Sequence, residues 1–164
     1  MKLREENASD LTVEQTFEAH CEQAVREQAC RESGALSWDV QITRDGDRAR
    51  VQVERLMPPS VPDFVKKFVG DSIAVRQIEE WQPPDSDGAR VASVKLTIKG
   101  QPASMLGTVT ITPAGSGSVE VVEGDVKVAI PFIGKKIEPE IVKVIGSGVR
   151  VEQRVVVAWV HANR

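Results

Sequence analysis

Tyrosine is absent from this 164-residue chain, and four phenylalanines and three tryptophans are its only aromatics. Few large side chains are therefore available to fill an interior. Histidine and cysteine occur twice each. No three or four of the ligating residue types stand at metal-site spacing, so neither a metal nor any other cofactor is expected. Cys21 and Cys30 are nine residues apart in what reads as one helical region, about 13 Å along a straight helix, too far to bridge. They read as reduced, half-buried packing residues. No charged-then-apolar leader and no apolar run approaching about 18 residues occurs, which points to a cytoplasmic chain with no integral membrane association. A net charge of -3 with intermixed signs leaves no basic patch, which argues against a nucleic-acid partner.

What is present is periodicity. Lys2 to Ala8 is a candidate edge strand, and Thr12-x-x-Gln15 is a capping box opening a helix with Val13, Phe17, Cys21 and Val25 on one side, running to Cys30 and stopped by Gly34. Leu36 to Arg44 and Arg48 to Leu56 alternate around Asp45-Gly46, a strong hairpin signal. After Pro58, Pro59 and Pro62, residues Asp63 to Val69 read as a short helix, either a lid formed by Phe64 and Phe68 or a plug. Strand character resumes at Ile73 to Trp81, Arg90 to Lys99 and Met105 to Thr112. In the strand from Ser118 to Ile130 the apolar parity changes between Val121 and Val122, for which a bulge is the simplest cause.

About thirty residues near the C-terminus, Phe132 to Ala162, carry an apolar stripe at helical spacing. Ile133, Ile137, Ile141, Val144, Ile145, Gly148, Val151, Val155, Ala158 and Trp159 fall within roughly 140° of arc. Gln153 falls on the opposite, polar side. Pro139 implies either that the regular helix begins near Glu138 or that it kinks there. Gly146 and Gly148 each cost up to about 1 kcal/mol in a helix interior, so a packing or site reason is expected for them. One-faced hairpin strands need a cover, and only this helix is long enough to supply it. The expected architecture is an α+β helix-grip fold in one domain, 1–164: a curved antiparallel sheet of six to seven strands around a long C-terminal helix.

With the stretch Pro58-Pro59, Val61-Pro62-Asp63-Phe64-Val65-Lys66-Lys67-Phe68-Val69-Gly70, the strand ending in Glu80-Trp81, and Pro131-Phe132-Ile133-Gly134-Lys135-Lys136-Ile137-Glu138, the chain resembles the START-like (helix-grip, SRPBCC) superfamily. Within it, these motifs are similar to an actinobacterial branch of unknown function. The resemblance covers almost the whole chain and implies a cavity between sheet and helix for an apolar or amphipathic small molecule. It carries over no catalytic residue.

The residues expected to line such a cavity are those of inward parity: Trp38, Val40, Val51, Val53, Arg55, Val75, Gln77, Glu79, Val94, Leu96, Met105, Gly107, Val109, Val126 and Val128 on strands, with Ile137, Ile141, Ile145 and Gly148 on the helix. Small inward residues, namely Ala49, Ala92, Gly107 and Gly148, leave room; the alternative is that Gly107 marks a bend and Gly148 a close helix approach. Arg55 and Glu79 are a candidate buried ion pair. His20 and His161 read as lying at helix ends or surfaces, and no nucleophile stands beside a base. Binding of the small molecule is thus favoured, ahead of a polyketide cyclase or aromatase type of enzyme and of a cavity-less interaction domain. Val142, Val149, Val156 and Val160 form a second stripe on the far side of the terminal helix, a candidate homodimer face.

Overall fold

Successive hairpins fold the middle of the chain into a meander. The computed structural model describes residues 1–164. In chain order the elements are β1 (Lys2–Ser9), α1 (Val13–His20), α2 (Gln23–Glu32), β2 (Ser37–Asp45), β3 (Arg48–Met57), α3 (Asp63–Val69), β4 (Ile73–Trp81), β5 (Arg90–Ile98), β6 (Ala103–Ala114), β7 (Gly117–Val128) and α4 (Gly134–Ala162). The seven strands form one antiparallel sheet ordered β1-β7-β6-β5-β4-β3-β2. Its concave face is closed by α4, with α1 and α2 at one end. This is the helix-grip, START-like fold.

The register explains two of the small inward residues. Ala49 and Ala92 lie directly opposite Trp81 on its two neighbouring strands. All three are buried. The alanines therefore seat an indole and leave no void, because a large side chain between two small ones restores the packing density.

No bulge interrupts β7. It pairs in unbroken register with β6 from Ala103↔Val128 to Ala114↔Gly117 and with β1 from Lys2↔Asp125 to Ser9↔Ser118. The buried residues are the even-numbered Ser118, Glu120, Val122, Val126 and Val128. Val119 and Val121 simply lie on the outer face. The parity change is thus caused by a carboxylate on the inside at Glu120.

The N-terminal helical region is likewise two helices. Thr12 caps α1 by both bonds of the capping box, Gln15 N to Thr12 Oγ1 at 3.1 Å and Thr12 N to Gln15 Oε1 at 2.9 Å. The chain breaks at Cys21 and Glu22, and Arg26 of α2 donates from Nε to the freed carbonyl of His20 at 2.7 Å. In a straight helix residues six apart point about 120° away from one another. The break turns His20 and Arg26 toward the same interior, where both are 1% exposed.

Helix α4 begins at Gly134 and passes through Pro139 in its second turn. Its first half packs Ile137 and Ile141 into the sheet core, and its second half packs Val155 and Val156 with Leu11, Ala19, Val25 and Ala29 of the N-terminal segment. Gly146 is a close-approach glycine, since a Cβ there would sit 2.7 Å from Glu5 Oε1 of β1; at Gly148 a Cβ would meet nothing within 4 Å. The second valine stripe is not a free face. Val156 is buried, Val142 and Val149 pack against the sheet core, and Val160 packs against the N-terminal cluster. Sheet and helices flank α4 on two sides, so it buries a wider arc than one stripe. Gln153, on the polar side by sequence, is buried for the same reason. No helix is long and apolar enough to cross a membrane.

Candidate functional site

Between the two anchored halves of α4 the helix stands away from the sheet over a cavity of about 510 Å³. Val144, Ile145, Gly148 and Val151 of the apolar stripe line it, and their partial exposure reflects the space they face. The opposite wall is Val75, Val94, Leu96, Ile98, Met105, Val109 and Val122. Its mouth lies between α4 and the segment after β3, where the lining residues Ser60, Lys143, Val144 and Ser147 are exposed. This volume lies within the range of about 300–1,000 Å³ typical of small-molecule sites.

The deep end is charged. Alternation along β4 carries Gln77, Glu79 and Trp81 to the inside. Glu79 is 1% exposed and accepts four hydrogen bonds: from Arg26 at 2.8 and 2.6 Å, from Gln77 Nε2 at 2.6 Å and from Trp81 Nε1 at 2.9 Å. Burial pushes its carboxyl pKa up, but the charge of Arg26 and these bonds outweigh it and hold Glu79 well below the usual carboxylate range. Burial disfavours the Arg26 cation too, and Glu152 and Glu79 together overcome that and raise its pKa.

A second pair lies beside the first. His20 Nε2 is 3.0 Å from Glu120 Oε2, and the ring stacks obliquely on Trp81 with centroids 5.5 Å apart. Burial lowers the imidazole pKa, but the charge of Glu120 and its hydrogen bond prevail and raise it above the usual value. His20 Nδ1 has no hydrogen-bond partner and lies 3.6 Å from Glu152 Oε1. Glu152 also accepts from Arg26 at 2.8 Å. Glu79, Glu120 and Glu152 line the cavity, whereas His20 and Arg26 stand behind them. Three carboxylates thus gather around the Arg26 guanidinium and the His20 imidazole, and one oxygen of Glu152, a residue of the cavity wall, has no protein hydrogen-bond partner.

Several expected lining residues are there: Arg55, Val75, Gln77, Glu79, Val94, Leu96, Met105, Val109, Ile141, Ile145 and Gly148. Others are not. Val51, Val53, Val126, Val128 and Ile137 are sealed in the core, and Trp38 and Val40 of the edge strand β2 pack against its rim. Gly107 is a close-approach residue: a Cβ there would lie 1.9 Å from the Glu123 carbonyl oxygen, so β6 and β7 close on each other where space was expected. Arg55 and Glu79 do not pair directly. Arg55 donates to Gln77 Oε1 at 2.9 Å, Gln77 passes the contact on to Glu79, and Arg26 is the true counter-ion. His20 is not at the surface. On α3 the buried residue is Val65, while Phe64 and Phe68 point to solvent and do not line the cavity, so neither is a lid.

Residues 6–160 match the family described as protein of unknown function (DUF2505). An uncharacterized protein of Mycobacterium tuberculosis is 29% identical over 121 residues, covering 73% of this chain and 69% of that protein. Among solved structures, the Zhui aromatase/cyclase of Streptomyces sp. R1128 is similar with a TM-score of 0.64 at 7% identity, over 98% of this chain and 93% of that one. A STAR-related lipid transfer protein of Xanthomonas axonopodis gives 0.60 at 12% identity, over 93% and 84%. At these identities the likeness is one of fold. The chain belongs to the DUF2505 family.

Proposed function

We propose that this member of the DUF2505 family binds an amphipathic small molecule in the cavity between sheet and α4, with its apolar body along Val75, Val94, Leu96, Met105 and Val109 and its polar head at the charged floor. The observation that carries the reading is the pairing of an aliphatic chamber of about 510 Å³ with one deep, partly unsatisfied polar end. Pockets of this kind gain affinity from apolar burial and orientation from a few placed polar atoms. Burying about 200 Å² of ligand surface at about 25 cal/mol per Å² contributes on the order of 5 kcal/mol before the cost of immobilising it. A lipid transfer protein and an aromatase/cyclase are built on the same fold, which supports a cavity function.

Binding is favoured over catalysis by the state of the polar groups. All four acceptor positions of Glu79 are engaged within the protein, and His20 does not line the cavity. A general base needs a free lone pair within reach of the substrate, which Glu79 does not offer; Glu152, with one oxygen free of protein partners, is the floor carboxylate on which a cyclase-type reaction would have to rely. Organic extraction of the natively purified chain followed by mass spectrometry tests the proposal, alongside titration with an environment-sensitive apolar fluorophore. A co-purifying amphiphile displaced by the fluorophore is expected; no extracted molecule and no fluorophore uptake would refute it.

A further inference from the structure

Three of the four phenylalanines lie at one end of the sheet and are exposed. Phe64 is 46% exposed, Phe68 36% and Phe132 101%. The first two are on α3, which joins β3 to β4, and the third is in the turn from β7 to α4. The register places both connections at the same end, since Met57 faces Ile73 and Ala103 faces Val128. Phe132 is also the only residue other than glycine with a positive φ, 68°. A bulky side chain in that left-handed region is uncommon, and with its ring wholly in water no contact inside the chain compensates it.

The same end is basic. Lys66 and Lys67 flank the α3 phenylalanines, Lys135 and Lys136 follow Phe132, and Lys99 is in the adjoining turn between β5 and β6; all are exposed. Elsewhere on the surface most arginines are paired, Arg4, Arg44, Arg76, Arg150, Arg154 and Arg164 each forming an ion pair, and the exposed cations without a carboxylate partner, Arg31, Arg48, Lys95 and Lys127, are scattered singly. At this end Asp63 pairs with Lys66, and against one exposed, unpaired carboxylate, Asp71, the four lysines Lys67, Lys99, Lys135 and Lys136 remain without a carboxylate partner. A chain of net charge -3 therefore carries a local excess of free positive charge around exposed aromatic rings.

We propose that this end is a docking surface for an anionic lipid bilayer, with Phe64, Phe68 and Phe132 entering the headgroup and acyl boundary and the unpaired lysines resting on lipid phosphates. Apolar rings ringed by mobile ammonium groups fit a fluid, negatively charged interface, which needs no fixed shape. The cavity mouth opens beside this surface, at Ser60 and Val61. Docking itself does not depend on what the cavity holds, so it stands or falls apart from the binding proposal.

Co-sedimentation of the full chain with vesicles of phosphatidylcholine alone, or mixed with phosphatidylglycerol, tests this. Binding is expected only to the mixed vesicles and is lost at high salt. Phe132→Asn, which suits the left-handed backbone and removes no internal contact, lowers partitioning about tenfold with an unchanged melting curve. Lys135→Ala and Lys136→Ala each lower it about fivefold. Leu106→Asn removes an apolar side chain exposed on the outer face of β6 and leaves partitioning unchanged. Failure of the wild type to sediment with the anionic vesicles would overturn the proposal. So would an equal loss in Leu106→Asn, or a wild-type dimer dispersed by Phe132→Asn, which would assign the surface to a second copy.

Discussion

The two ends of the sheet treat their side chains in opposite ways. At the Trp81 end, polar groups go inward and nearly every one finds a partner: Glu79 takes four hydrogen bonds, Arg26 bridges two carboxylates and a backbone carbonyl, and among the fully buried side-chain atoms only His20 Nδ1 lacks a hydrogen bond. At the Met57 end, apolar rings go outward and lysines stay unpaired. The first end closes the interior and fixes where β4, α1, α2 and α4 meet. The second leaves an opening. Stability and access are thereby separated along the strands, and a substitution should disturb one or the other according to the end it strikes.

The sharpest way to break that contrast is Arg26→Met. It leaves Glu79 buried without its counter-ion, a defect that typically costs about 3–5 kcal/mol, and urea unfolding should show it as a lower midpoint. Replacing Glu79 by leucine as well should recover much of the loss, because the pair costs desolvation that an apolar isostere avoids. If Phe64→Ala at the opposite end costs as much as Arg26→Met, the two ends do not differ as argued.

The hairpin strands, the terminal helix and the inward march of Gln77, Glu79 and Trp81 are readable from alternation and turns, because period 2 and period 3.6 are local signals, whereas the pairing of β1 with β7 is not local. What alternation cannot carry is the partner. Arg26 meets Glu79 across 53 residues and His20 meets Glu120 across 100. Both contacts depend on a helix break at Cys21 and Glu22 that neither glycine nor proline announces. Glu120 itself was masked by Val119 and Val121, which supply an apolar pattern of the wrong parity on the outer face. Small residues are equally ambiguous in one dimension: Ala49 and Ala92 seat Trp81, Gly107 lets β7 approach β6, Gly146 admits Glu5, and Gly148 borders open space.

That last pair, two residues apart on one helix, gives the next test. Gly146→Leu pushes aside the carboxylate end of Glu5 and disturbs its ion pair with Arg150, and should cost about 1 kcal/mol or less. At Gly148 an added Cβ has no neighbour within 4 Å, and Gly148→Leu should gain up to about 1 kcal/mol of helix propensity. Its side chain fills part of the cavity, so fluorophore uptake should fall at least about tenfold while the melting temperature holds or rises. Unchanged uptake in a stable Gly148→Leu protein would show that the ligand does not occupy this space.

The smallest expected effect is a pH dependence set by the closed end alone. The pKa of Glu79 is depressed from its ordinary 4.5, so its contribution is fully present above about pH 4.5 and lost as pH falls through the folded value. The pKa of His20 is raised above 6.5, so its contribution is fully present below about pH 6.5 and lost as pH climbs through the folded value. Both act together only between those limits, and denaturation midpoints should be highest there. His20→Gln keeps a hydrogen-bond donor near Glu120 but carries no charge, so it should lower stability on the acid side of 6.5 and flatten the decline on the alkaline side. Phe132→Asn, at the other end, should leave the shape of the whole profile unchanged. A decline above pH 6.5 that survives in His20→Gln would mean that the group titrating there lies outside the His20 and Glu120 pair.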